Sequence, residues 1–245
     1  ALIGTPNSGK SSIVGSLSNA PVRIEDYPFS TEAPVPGMVY HEDVAIQMID
    51  TPPVSSDYAA AGQVNTYRNA DLIGIVTDIS ADPLEQFEIC TNYLNQHRLM
   101  LNNNTSSEDE HGNNLGRPCF VIATKIDAAQ AGTLEVLEEL LNTDLEFIAV
   151  SVNDAESLKR LTARIFELLD VVRVYAKKPG QEPDMRDPFT LPRGSTVQDL
   201  ATLIHRELGE KLQSARAWGT GVYDGQNVQR THVLCDKDII ELHFP

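Results

Sequence analysis

Eight residues near the start of the chain, Gly4-Thr5-Pro6-Asn7-Ser8-Gly9-Lys10-Ser11, constrain its fold more than any other feature. They match GxxxxGK[ST] in full, a pattern that functions only as a loop between a strand and a helix. The flanks agree. Ala1-Leu2-Ile3 reads as the tail of a strand, and Ile13-Val14-Gly15-Ser16-Leu17 as the apolar start of a helix. Because that strand is already under way at residue 1, further residues are expected upstream. In such a loop the backbone N–H groups of Asn7, Ser8, Gly9, Ser11 and Ser12 cradle phosphates. Lys10 reaches the outer phosphates, and the Ser11 hydroxyl binds Mg²⁺.

The rest of the first two-thirds fits that start. Short apolar runs at 44–49, 72–77, 119–124 and 145–150 read as strands. Between and after them, 85–99, 133–141 and 156–169 carry Leu, Ile and Phe at helical spacing. Nearly continuous apolar strands separated by helices imply βαβ units, an α/β fold and a mostly parallel sheet. Residues 102–116 hold a single leucine among polar residues and read as a mobile surface loop.

Near residue 171 the pattern changes, which divides the chain into domains at 1–170 and 171–245. The second has a strand over 171–177, a Pro/Gly/charge-rich connection over 178–187 and a short strand over 189–191. A helix over 197–212 follows, capped by Ser195 or Thr196, and then strands at 215–219, 231–234 and 239–244. A small sheet with one packed helix is the expected architecture. Trp218 is expected in its core, with stacking on a nucleic-acid base as the alternative.

Charge separates the two parts further. Of the net −16, residues 1–170 carry 9 Lys and Arg against 25 Asp and Glu, while 171–245 carry 10 against 10. The acidic part disfavours a broad nucleic-acid groove. Three cysteines, odd in number and without Cys-x-x-Cys spacing, argue against a disulfide framework and fit a reducing cytoplasm. No apolar run approaches the roughly 20 residues that span a bilayer.

Two further motifs specify the nucleotide. The 44–49 strand ends in Asp50-Thr51-Pro52, where a P-loop protein places the carboxylate that holds Mg²⁺ through water. Thr124-Lys125-Ile126-Asp127 closes the 119–124 strand, and ligands of open parallel sheets gather at such carboxyl ends. Asp127 accepts from guanine N1–H and the 2-amino group, a donor pair that adenine lacks, while the Lys125 stem lies along the base. Ser151 or Val152, closing the next strand, offers a backbone N–H to the guanine carbonyl.

The order GTPNSGKSS, YPFSTEAPVPG, DTPP, TKID and VSV resembles the translation-factor-type GTPases of the Obg and DRG (developmentally regulated GTP-binding) group over the first 170 residues. The resemblance implies that Thr31 is the switch I threonine, which binds Mg²⁺ and senses the γ-phosphate. It makes Asp50 the switch II carboxylate and Asp127 the guanine-specificity carboxylate. VRVYAKKPG, LPRGSTVQDLATLIH, ARAWG and LCDKDIIEL are similar to the TGS domain, a β-grasp (ubiquitin-like, α+β) module, which implies contact with RNA or the ribosome. Together these imply a cytoplasmic, monomeric GTPase switch that binds GTP and GDP and hydrolyses slowly, with Lys10, Thr31 and Asn7 in catalytic roles. Asn7 sits where related GTPases bind K⁺, so K⁺ stimulation is expected.

The chain departs from the family at two places. Pro53 stands where DxxG has glycine, whose N–H donates to the γ-phosphate, and proline has none. Either the motif is shifted by one residue, Val54 donates instead, or the chain is a guanine-nucleotide-binding adaptor with little or no hydrolysis. Thr124 replaces the asparagine of NKxD but keeps a hydroxyl with which to brace the P-loop.

Overall fold

The computed structural model describes residues 1–18, 33–55, 62–100, 116–129, 132–141 and 143–244. Thr31, the surrounding Tyr27–Thr31 motif and nearly all of the 102–116 segment lie outside them. The chain divides into two compact units. One comprises Ala1–Tyr40 and Ala45–Leu168, the other Leu169–Pro245 with the turn His41–Val44.

The first unit is built on a six-stranded sheet. Its strands are β1 (Leu2–Gly4), β2 (Val35–His41), β3 (Val44–Asp50), β4 (Ile73–Asp78), β5 (Cys119–Thr124) and β6 (Phe147–Val150). They lie in the order β2-β3-β1-β4-β5-β6, and β3, β1, β4, β5 and β6 pair in parallel. The four strands expected from apolar runs are all present, shifted by at most two residues at an end. β2 escaped the pattern because Pro36 and Gly37 interrupt it. Its two-residue connection to β3 is one that only an antiparallel pair permits.

Burial explains why these runs are strands. β4 is buried at every position, and Ile73, Ile75, Val121 and Ile3 meet Leu94 and Leu99 in one core cluster. Each such side chain contributes at most about 1.5–3 kcal/mol. The helices are α1 (Lys10–Leu17), α2 (Gln63–Asn69), α3 (Pro83–Gln96), α4 (Thr133–Leu141) and α5 (Ala155–Leu168). Asp82 caps α3, accepting from the Glu85 N–H at 3.1 Å, and Pro83 suits the first turn because its missing N–H needs no partner there.

Topology positions the site. β1 lies between β3 and β4, so the chain leaves it on one side and returns on the other, the place where open α/β sheets bind ligands. Registers Asp78↔Thr124 and Thr124↔Val150 bring the ends of β4, β5 and β6 to one level.

The second unit has a five-stranded sheet in the order β10-β9-β11-β7-β8. Its strands are β7 (Val171–Lys177), β8 (Phe189–Pro192), β9 (Ser214–Trp218), β10 (Gln226–Val228) and β11 (Asp238–His243). β7 and β11 are parallel and the other pairs antiparallel, as expected of a β-grasp module. Val172, Val174, Ala215, Ala217 and Ile240 face Val197, Leu200 and Ala201 of α6 (Val197–Ile204). Thr196 caps α6 in a reciprocal capping box with Asp199.

Three expectations are corrected here. The helix over 197–212 is two helices, α6 and α7 (Arg206–Lys211), broken at His205, whose backbone is extended. The break lets Gly209 close on α6, where a Cβ would stand 2.3 Å from Thr202 Oγ1, and brings Leu212 into the core. Residues 231–234 form no strand. Their neighbourhood satisfies helix donors instead, the Val197 N–H reaching His232 O at 3.0 Å and the Gln198 N–H reaching Arg230 O at 2.9 Å. Trp218 lies outside the core cluster, half-buried, with the Lys177 ammonium 4.7 Å from its ring centroid. Alternation along β9 turns it away from Ala215 and Ala217. Among the described residues no helix is long and apolar enough to cross a membrane.

Candidate functional site

The loop Gly4–Lys10 joins β1 to α1 through two glycines with different reasons. A Cβ on Gly4 would stand 2.4 Å from Ser8 Oγ and 2.8 Å from Val76 O. Gly9 has φ 97°, the left-handed region, and offers no side chain to cap α1. The uncapped helix start suits an anion. Lys10 is buried, donating to Gly4 O and Thr5 O at 3.0 Å each and to Ser8 Oγ at 3.4 Å. Burial pushes its ammonium down to about 8, against the opposing pull of Asp50.

Ser11 and Asp50 meet although 39 residues apart. The Ser11 hydroxyl donates to Asp50 Oδ2 at 2.5 Å, and Asp50 is buried at the end of β3. A hydroxyl and a carboxylate, both hard oxygen ligands, fit Mg²⁺ shared with phosphates.

The ends of β4 and β5 form the other half. Thr124 Oγ1 donates to Ser8 O at 2.7 Å, so the threonine does brace the P-loop. Asn7 and Lys125 both have positive φ, 61° and 58°. The Lys125 ammonium joins them, donating to Asn7 O at 3.1 Å and to Asp78 Oδ2 at 2.5 Å. Burial raises Asp78's carboxyl, but hydrogen bonds from Lys125 and Ser80 outweigh it and hold the group below the usual carboxylate range.

Beside this clamp a cavity of about 260 Å³ is lined by Gly9, Ser12, Thr124, Lys125, Asp127 and Val152, among others. Asp127 is held below the usual carboxylate range by hydrogen bonds from Ser151 and then Asn153, whose amide donates at 3.0 Å. Its carboxylate is therefore an acceptor at neutral pH. Of the two expected carbonyl donors, the Ser151 N–H is already engaged by Ser157 Oγ at 3.1 Å, while Val152 lines the cavity.

The structure thus brings together Asn7, Ser8, Gly9, Lys10, Ser11, Asp50, Thr124 and Lys125 in one contact network, with Ser12, Asp127, Ser151 and Val152 around the adjoining cavity. One alternative is closed. Val54 is fully buried and its N–H donates to Gly4 O at 3.1 Å, so it is not the spare donor that Pro53 requires. Sequence reasoning missed Asp78 and Asn153. Asp78 ends an apolar strand as Asp50 does and was open to the same argument; Asn153 carries no comparable signal.

Residues 1–125 match the family described as 50S ribosome-binding GTPase, and residues 172–243 match the TGS domain. The chain belongs to this GTPase family. Its similarity to curated relatives runs the full length. An uncharacterized GTP-binding protein of Methanocaldococcus jannaschii is 27% identical, the alignment covering 99% of this chain and 77% of that protein. Developmentally-regulated GTP-binding protein 1 of Xenopus laevis is 25% identical over 98% of this chain and 80% of its own. This GTPase-family chain is therefore a GTP-binding protein related to the DRG proteins. In fold it resembles a GTP-binding protein from Pyrococcus horikoshii OT3, with TM-score 0.65 and 16% identity over 100% of this chain and 99% of that one. Era, solved with MgGDPNP and nucleotides 1506–1542 of 16S ribosomal RNA, gives TM-score 0.52 at 22% identity over 88% of this chain and 69% of its own.

Proposed function

We propose that the chain hydrolyses GTP to GDP and phosphate as a slow molecular switch, and that its TGS domain, beginning near residue 171, links the nucleotide state to RNA or the ribosome. One observation carries the reading: Lys10, the Ser11–Asp50 pair and the Lys125–Asp127 cavity converge at the carboxyl ends of β1, β3 and β5. The family description and the RNA-bound state of Era support the ribosomal part.

In this reading Asp127 selects guanine, Ser151 and Asn153 hold its carboxylate, and Val152 faces the base. Asn7, Ser8, Gly9, Ser11 and Ser12 surround the phosphates. Lys10 gives up its loop carbonyls for phosphate oxygens, which favour its charged form. Ser11, Asp50 and Thr31 would hold Mg²⁺, which when bound supplies positive charge against the outer phosphates. Val54 is apolar and orients no water, so turnover is slow. Asn7 would hold K⁺ beside the phosphates.

The test is GTP hydrolysis in Mg²⁺ with K⁺ or Na⁺, beside Lys10→Ala. Turnover that needs Lys10 and runs faster in K⁺ is expected, and equal rates in the two salts remove Asn7 from the mechanism. A second reading is favoured by Pro53 and the engaged Val54 N–H: an adaptor that binds guanine nucleotides and barely hydrolyses them. Tight binding without turnover would select it.

A further inference from the structure

The segment after Asp50 is fastened by two side chains of α2 that belong to no nucleotide-binding motif. Thr51 Oγ1 donates to Leu2 O at 2.6 Å and lies 2.7 Å from the Tyr67 hydroxyl. Thr51 has one hydroxyl hydrogen, and with that hydrogen on Leu2 O, Tyr67 must be the donor in their contact. Tyr67 in turn accepts from Gln63 Nε2 at 2.9 Å, and the same amide donates to Pro52 O. Thr51 and Tyr67 are fully buried and Gln63 is 1% exposed, so water cannot replace these bonds without opening the core. The Tyr67 ring is seated edge-on against Tyr93, their centroids 6.1 Å apart.

The consequence falls on the next two peptide groups. Pro53 has no N–H, and the Val54 N–H is spent on Gly4 O. A ligand shifts a segment only if it interacts differently with two arrangements of it. A terminal phosphate finds no donor here, and the knot resists the movement that would free one.

We propose that Gln63 and Tyr67 are positioning residues that hold Thr51–Val54 in one arrangement whichever guanine nucleotide is bound. This segment then does not register the terminal phosphate, and GDP and GTP bind with affinities within about tenfold of each other. The proposal rests on the reading that the site described above takes guanine nucleotides.

The test uses the full chain, with Kd measured for fluorescent GDP and for a non-hydrolysable GTP analogue. Wild type should give a ratio within about tenfold, and Pro53→Gly alone should leave it there, because the knot still holds the segment. Tyr67→Phe with Pro53→Gly keeps the ring, releases the knot and restores a donor, and should shift the ratio toward GTP by about fivefold or more. A purely structural role for Tyr67 would move both affinities together. A wild-type ratio above about 100-fold, or a Pro53→Gly shift as large as the double variant's, overturns the proposal while leaving guanine binding intact. Failure to bind either nucleotide overturns both readings. Hydrogen exchange at the Val54 amide of wild type gives an answer independent of any variant's folding. Equal protection with GDP and with the analogue is expected, and loss of protection with the analogue contradicts it.

Discussion

The two ends of the nucleotide site treat their polar groups in opposite ways. At the base end Asp127 is exposed, its carboxylate oriented by Ser151 and Asn153 and presented to an open cavity. At the end beside Asp50, the polar atoms of Thr51, Pro52 and Val54 are tied to Leu2, Gln63, Tyr67 and Gly4. One end is arranged to read its ligand, the other to keep its shape. In the proposed reading, identifying the base therefore requires little rearrangement, whereas sensing the terminal phosphate through the buried segment would require breaking hydrogen bonds that water does not replace.

Substitutions sharpen or break this contrast. The largest effect is expected at Asp127. Asp127→Asn removes the charge and turns one of the two carboxylate acceptors into a donor, and should weaken GDP binding by about 100-fold while improving binding of xanthine nucleotides, whose C2 carbonyl accepts from an amide. Competition binding with both nucleotides checks it. Thr124→Val is nearly isosteric but removes the hydroxyl that donates to the Ser8 carbonyl at 2.7 Å. A loss of about 1–2 kcal/mol is expected, read from the urea midpoint of the nucleotide-free protein.

The smallest effect is in pH. Burial holds Lys10 down to about 8 in the free protein, whereas bound phosphates raise it, so binding takes up a proton once the pH passes about 8. Affinity should be flat below pH 7 and fall by about fourfold between pH 7 and 8.5, measured by nucleotide titration at constant ionic strength. An affinity that rises over that window would place Lys10 away from the phosphates.

Much of the first unit was legible because its signals are local. The GxxxxGK[ST] loop, the aspartate ending β3 and the TKID segment each announce themselves within eight residues, and parallel strands bring them together. What was hidden depends on partners far apart in sequence. Gln63 and Tyr67 look like ordinary helix residues until α2 meets Thr51 and Pro52, and Val54 is a spare donor until its N–H meets Gly4 O. In the second unit a cap at Ser195 or Thr196 was visible as a pattern and falls on Thr196, but the break at His205 was not visible, because Val197–Lys211 keeps helical periodicity through it. Trp218 was expected inside because tryptophan is usually well buried; strand alternation beside two buried alanines placed it on the other face.

The most direct measurement is equilibrium binding of GDP, GTP analogue, ADP and ATP analogue to one preparation of the full chain in Mg²⁺. The account predicts saturable binding of both guanine nucleotides within about tenfold of each other, and adenine nucleotides weaker by about 100-fold or more. Adenine nucleotides binding as tightly as guanine nucleotides would contradict the role given to Asp127 and, with it, the account of the site.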